Sequence, residues 1–199
     1  MKELSPEKIQ ENWETFRNFI NKLKNKDSIN LMLNDLEDRM ILTPASSRLD
    51  RHLAVPGGLI DHSLRVMNNA MIISKKFFSE FNISTDSIVL CSLLHDIGKV
   101  GSEIKDYYVQ QESSWHREKL GEMYKVSQEL SFMSHAQRSI YLLQYYNIKL
   151  SEEEYLAILT HDGPYAKENE MFNMKESPLT VCIQLGDLLA CKQEKILFG

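Results

Sequence analysis

The chain has 199 residues, 43% of them hydrophobic and 26% charged, which is the balance of one folded globular domain and not of a disordered chain. A formal net charge of −5 argues against broad capture of a nucleic-acid backbone, which needs clustered lysine and arginine, and leaves open only a local basic groove. Cys91, Cys182 and Cys191 are odd in number and show no C-x-x-C spacing, so neither a disulfide framework nor a zinc knuckle is indicated, and a reducing, cytoplasmic location is expected. No stretch approaches the ~20 apolar residues of a bilayer span and the N-terminus lacks an apolar secretory core, so no membrane partner is expected.

In chain order, Ser5-Pro6 is a helix-start signal, and Ile9, Trp13, Phe16, Ile20 and Leu23 recur at helical spacing through a first amphipathic helix. Its apolar stripe either packs on the domain's own core or forms a homodimer contact. A second helical pattern runs through "SINLMLNDLEDRMIL", and these two make an N-terminal segment, residues 1–43, packed on the rest. "TPASSRLDRHLAVPGG" then has Pro44, Pro56, Gly57 and Gly58 and no sustained period, the mark of a loop.

A long helix is predicted from Leu59 through "LIDHSLRVMNNAMIISKKFF". The next, "TDSIVLCSLLHDIG", is capped near Thr85 and ends at Gly98. Two more cover parts of 115–146. "SEEEYLAILTHDG" opens with a capping box, Ser151 and Glu154, and stops at Gly163-Pro164, and "SPLTVCIQLGDLLACKQEK" is the last helix. No convincing period-2 segment appears, so the reading is all-α, with room for a small hairpin in 100–114.

Asp187 is the only charge in "PLTVCIQLGDLLA", a helix apolar around its whole circumference, and a buried carboxylate is too costly to leave unpartnered. The near-uniformly apolar "SIVLCSLLHD" delivers His95 and Asp96 together at its C-terminal end. "YLAILTHDG" ends likewise on His161-Asp162, and His62 rides near the start of the helix after Pro56-Gly57-Gly58. A single histidine at a helix end is more often a surface residue or a hydrogen-bonded core residue. Four helix ends offering imidazole or carboxylate suit Fe, Mn, Co, Ni or Zn in a catalytic site, and the lack of a cysteine cluster argues against a structural zinc.

The ordered set of a histidine, an HD pair 33 residues later, a further histidine and an aspartate in a final apolar helix resembles the HD superfamily of metal-dependent phosphohydrolases. The resemblance covers roughly residues 44–192 and implies a single-domain helical bundle. It implies one metal held by His62, His95, Asp96 and Asp187. "RHLAVPGGLIDHSLRV" with "LLHDIGKV" is most similar to the branch of bacterial 3′–5′ exoribonucleases and HD-GYP cyclic-dinucleotide phosphodiesterases, in which further histidines hold a second metal and the HD aspartate bridges the pair. "TPASSRLD" and "SEEEYLAILTHDGPY" also resemble HD proteins of large tailed bacteriophages.

On that resemblance His161 matches the first position of a later His-His motif, and His135, 26 residues earlier, and His116 compete for the other second-metal place. Two departures stand out. Asp162 replaces the second histidine of the motif, and Glu122 stands where an exonuclease-like histidine would be. Gly58 occupies the position of a glutamate that some members use for an additional metal, so a three-metal centre is not expected.

The implied chemistry is attack of metal-activated water on phosphorus, with Asp96 bridging and Lys99, one turn on, facing phosphate oxygens. Arg65 and His52 are candidate substrate contacts, with Arg117 and Lys119 weaker ones. A mononuclear version would use Glu103 or Glu122 to activate water. The expected substrate is a small nucleotide, a nucleoside phosphate or cyclic nucleotide, with no stable nucleic-acid partner. The rival readings are a 3′–5′ exonuclease on short single strands and a non-catalytic HD regulatory module.

Overall fold

A computed structural model describes residues 3–198. Helix α1, Pro6–Ile20, starts where Ser5 accepts the Lys8 amide at 3.3 Å, with Pro6 in the first turn, where no intrahelical partner for its nitrogen is needed. Helix α2, Lys26–Leu42, returns beside it, and the predicted loop follows. Helix α3 spans Gly58–Phe77 and α4 Thr85–Leu94, capped by Ser84 rather than Thr85.

The predicted run of α4 to Gly98 is corrected. The helix stops four residues sooner, Asp96 leaves helical geometry, and Ile97–Val100 tighten into a turn of 3-10 helix. The cause lies in helix α6, His135–Tyr145, whose first turn lies directly over Gly98. A Cβ on Gly98 would stand 2.2 Å from the His135 carbonyl oxygen and 2.5 Å from the Ser139 amide. The Ser139 hydroxyl donates to the His95 carbonyl at 2.6 Å, and the Gly98 amide donates to it at 2.9 Å. Gly98 is therefore a close-approach residue, and the helix stop belongs to His95.

Helix α7, Glu152–Leu159, carries the capping box, with Ser151 accepting from the Glu154 amide. Helix α8 spans Pro178–Phe198. Within 100–114, where the sequence left room for a small hairpin, one antiparallel bridge joins Gly101 and Asp106, and beyond it begins a two-stranded ribbon whose partners straddle helix α5, Ser114–Leu120. Strand β1, Tyr108–Gln110, pairs antiparallel with β2, Tyr124–Val126, through Tyr108↔Val126, Val109↔Lys125 and Gln110↔Tyr124. Strands of three residues are too short to print a period on the sequence. The fold is an all-α single domain with this ribbon as its sole sheet among the described residues.

Helices α3 and α8 form the central pair. Gly186 permits it, since a Cβ there would lie 3.0 Å from the Val66 carbonyl and 3.2 Å from Ala70. One apolar cluster takes Phe16, Ile20, Leu33 and Met40 from α1 and α2, Leu59 and Met67 from α3, Leu94 from α4, Leu142 from α6, Ile158 from α7 and Ile183 from α8. The stripe of α1 thus faces the chain's own core, with Phe16 and Ile20 fully buried, each worth about 1.5–3 kcal/mol in transfer terms. No helix among the described residues is long and apolar enough to cross a membrane.

Candidate metal centre

The packing of α3 against α8, and of α6 on the turn after α4, brings seven imidazole or carboxylate groups to one largely buried point. The Asp96 carboxylate is at its middle, 1% exposed, and its two oxygens face different histidine pairs. Oδ2 lies 3.3 Å from His95 Nε2 and 3.8 Å from His62 Nε2. Oδ1 lies 3.4 Å from both His135 Nε2 and His161 Nε2. Asp187 Oδ1 adds a second carboxylate, 3.0 Å from His62 Nε2, and Asp162 Oδ2 sits 3.2 Å from His135 Nε2.

Ring orientation is fixed from behind. Nδ1 of His95 donates to the Ser92 carbonyl at 2.8 Å, and Nδ1 of His161 to the Ile158 carbonyl at 2.8 Å, each three residues back on its own helix. Nδ1 of His62 meets Glu194 at 3.0 and 3.2 Å. In all three rings Nε2 is thereby turned to the centre, the arrangement in which a second hydrogen bond orients a ligating histidine.

Three buried atoms at that point, His62 Nε2, His95 Nε2 and Asp96 Oδ1, have no hydrogen-bond partner. His62 Nε2 is close to Asp187 yet not aligned with it as a hydrogen bond. Buried polar groups are rarely left in this state. Separations of 3.0–3.4 Å between such atoms are instead those of two ligands sharing an ion at about 2.1 Å, in tetrahedral or octahedral geometry. Four groups of three have donor atoms within 4.8 Å of one another, namely His62 with His95 and Asp96, His135 with His161 and Asp96, His161 with Asp162 and Asp187, and His52 with His62 and Cys191; the first two share Asp96.

Charge makes the same demand. Asp96, Asp187, Asp162 and Glu194 face the single ammonium of Lys99, whose Nζ is 2.6 Å from Asp96 Oδ2, so neutral imidazoles would leave three negative charges unmatched. Burial disfavours charge on His62, but Glu194 and Asp187 outweigh it and hold the ring up at about 10. His161 is likewise held up at about 9 against burial, chiefly by Asp162. Burial pushes His95 down, and burial with the charge of His62 pushes His52 down to about 3, so these rings are neutral. Burial would raise the Asp96 and Asp187 carboxyls, but Lys99 and His95 hold Asp96, and His62 holds Asp187, well below the usual carboxylate range. Such a field favours cations, and divalent ions fit it.

A family model described as HD domain matches residues 59–190. The chain belongs to the HD domain family. That family is in general one of metal-dependent hydrolases, and the donor set above fits a divalent metal in this HD domain. No curated protein and no solved structure matches the chain.

The structure gathers His62, His95, Asp96, His161 and Asp187, and of the two competing histidines it places His135 in the cluster. His116 sits on α5 with Nδ1 2.8 Å from the Ser113 hydroxyl, outside every ligand group. Asp162 is at the rim of the second group. Glu122 is 3.4 Å from Arg48, and Glu103 lies by Tyr146, so neither water-activating candidate reaches the cluster. Arg65 is turned to Asp61 at 2.6 Å and stands 4.0 Å from Glu194, behind His62. Arg117 is tied to the Gln111 carbonyl. The His52 ring is 4.9 Å from that of His62, and its Nε2 is 3.8 Å from Cys191 Sγ. At Gly58 a side chain would meet the Leu53 carbonyl at 2.3 Å, so the glutamate found there in some relatives would not fit.

Glu194 was not evident in the sequence, although it is seven residues, two turns, beyond Asp187 on the same face of α8. Behind it a buried chain reaches α1, since Arg65 and the Asn12 amide, the latter at 3.0 Å, both hold Asp61. Tyr107 and Tyr108 also border the site, and their hydroxyls feel the Lys99 and Asp96 charges.

Proposed function

We propose that this chain is a phosphohydrolase whose centre holds two divalent transition-metal ions, one on His62, His95 and Asp187, the other on His135, His161 and Asp162, with Asp96 between them. The observation that carries this is the division of the Asp96 oxygens between two histidine pairs, three of whose four inward nitrogens are fixed by hydrogen bonds behind them. A single-metal site would leave one pair without an occupant.

When bound, two such ions supply water with a lowered pKa and charge stabilisation for an in-line displacement at phosphorus. Water oxygen bonds to phosphorus, the ester P–O bond breaks, and the departing oxygen keeps the pair and takes up a proton, giving phosphate and an alcohol. Asp96 holds both halves of the centre in register. Lys99, 8% exposed and beside Asp96, is the cation placed to meet non-bridging phosphate oxygens. His52, neutral and at the edge of the cluster, is a substrate contact. The substrate class this supports is a small nucleotide, acted on without a stable nucleic-acid partner.

The test is elemental analysis of native protein together with a panel of phosphoesters, with Asp96→Ala as control. Two metal equivalents and hydrolysis in the native protein, both lost in Asp96→Ala with the fold retained, are expected. Full activity in Asp96→Ala would sink the proposal.

A further inference from the structure

Beside the metal cluster lies a cavity of about 260 Å³, walled by α2, the 3-10 turn after Asp96 and the ribbon. Its lining includes Asp38, Arg39, Leu42, Lys99, Tyr108 and Tyr124, and Lys99 belongs to both spaces, since its Nζ is the atom 2.6 Å from Asp96. The wall given by α2 lies outside the residues that match the family, so it is a feature of this chain's N-terminal segment.

The charge of this cavity is unusual for a nucleotide site. Arg39 is spent: Nε donates to Asp106 at 2.6 Å, Nη1 to the Ser102 carbonyl at 2.9 Å, and Nη2 to the carbonyls of Val100 at 2.8 Å and Lys105, so four of its five N–H donors are committed. Asp38 is exposed at the rim and forms no ion pair among the described residues. Past Lys99, then, there is no free cation in the lining, which offers two tyrosine rings with centroids 6.1 Å apart, an apolar wall at Leu42, the Asp38 carboxylate, and the Asp106 carboxylate paired with Arg39.

We propose that this cavity seats the nucleoside of a nucleoside monophosphate, with the base on the Tyr108 and Tyr124 rings, a hydroxyl or amine donor on Asp38, and the one phosphate at Lys99. It rests on the hydrolase reading above and adds the selectivity. Aromatic rings stack on any base, which makes the site tolerant of base identity. Within the lining a second or third phosphate would meet Asp38 and no uncommitted cation, the charge of Arg51 reaching Tyr108 from outside it. The volume, just under the ~300 Å³ at which ligand pockets commonly begin, is on the scale of one nucleoside.

The experiment uses the manganese-loaded full chain and measures KM for nucleoside mono-, di- and triphosphates, inhibition by inorganic phosphate and by the product nucleoside, and metal content. Tyr124→Ala, and Leu42→Trp at an exposed position that narrows the cavity without disturbing the core, are expected to raise KM for monophosphates and weaken nucleoside inhibition about tenfold. Inhibition by inorganic phosphate and metal content should stay unchanged. Asp38→Lys should bring di- and triphosphates into competition. Unaltered KM and nucleoside inhibition in both cavity variants of an active enzyme would overturn the cavity assignment alone. A native protein that binds metal but hydrolyses no phosphoester would overturn the hydrolase reading beneath it.

Discussion

Glu194→Gln changes one charge and almost no volume at a position 0% exposed. Both Glu194 oxygens face His62 Nδ1, at 3.0 and 3.2 Å, and glutamine can keep one acceptor there. What is lost is the charge on the acceptor. A hydrogen bond to a charged group contributes about 1.5–3 kcal/mol against about 0.5–1.5 for a neutral one, so the loss is about 1–1.5 kcal/mol. That is about a tenfold loss of affinity, near the lower end of the 10–100-fold range usual for groups that orient a ligating histidine. The loss should be one-sided, because His62 is the one ring of the cluster that Glu194 touches, its other charged neighbour being Arg65 at 4.0 Å. Titrating metal-free protein with Co²⁺ against a chromogenic chelator separates the two binding steps. The ion on the His62 and His95 side is expected to weaken about tenfold, with the ion on the His135 and His161 side unaltered. Equal affinity to the native protein at both steps, or equal weakening at both, would refute the reasoning.

His135→Ala should reduce bound metal from two equivalents to one, and His116→Ala should leave two, read by elemental analysis after removal of loose metal. Gly98→Ala puts a methyl where the α6 backbone already lies, 2.2 Å from the His135 carbonyl, so α6 must move away and carry His135 with it. The metal on that side should be lost first, and two equivalents retained in Gly98→Ala would count against the close-approach role. Phe16→Ala opens a cavity in the main core where α1 meets it and should cost about 3–5 kcal/mol, a fall in thermal midpoint of roughly 10 °C by calorimetry. A fall of only a degree or two would mean that α1 is not an integral part of the domain.

The helices were legible because apolar positions repeat at helical spacing and because Ser5 and Ser151 mark starts, while the α4 cap was read one residue late, at Thr85 in place of Ser84. The inward histidines were legible for another reason: a charge in an apolar helix needs a partner, and His95, Asp96, His161 and Asp187 each stand in that condition. What stayed hidden was set by contacts between distant segments. His116 and His135 read alike in sequence, each beside a serine cap, and only the packing of α6 on Gly98 decides between them. Arg65 was expected to face phosphate from its place one turn after His62, but Asp61 on the same helix, held by Asn12 of α1, takes its guanidinium. The ribbon escaped because its pairing spans α5 and leaves no period.

The two His-Asp pairs look like copies, and locally they are built alike. Helices α4 and α7 end at Leu94 and Leu159, and His95 and His161 each return Nδ1 to a carbonyl three residues back. Such a bond satisfies one of the last-turn carbonyls that a helix end leaves without an amide, and it turns Nε2 past the end of the helix. The aspartates that follow then diverge. Asp96 is sealed beneath α6 by the Gly98 contact, its side chain 2% exposed, whereas the side chain of Asp162 is 37% exposed and the glycine after it meets only the side chain of Gln184 at ordinary distance. On the two-metal reading proposed above, a buried carboxylate with both oxygens lined by imidazole would bridge, and a rim carboxylate reached from one side would cap. The difference between the two pairs thus follows from burial and not from motif, which is why His-Asp repeated in the sequence offers one candidate bridging aspartate and not two.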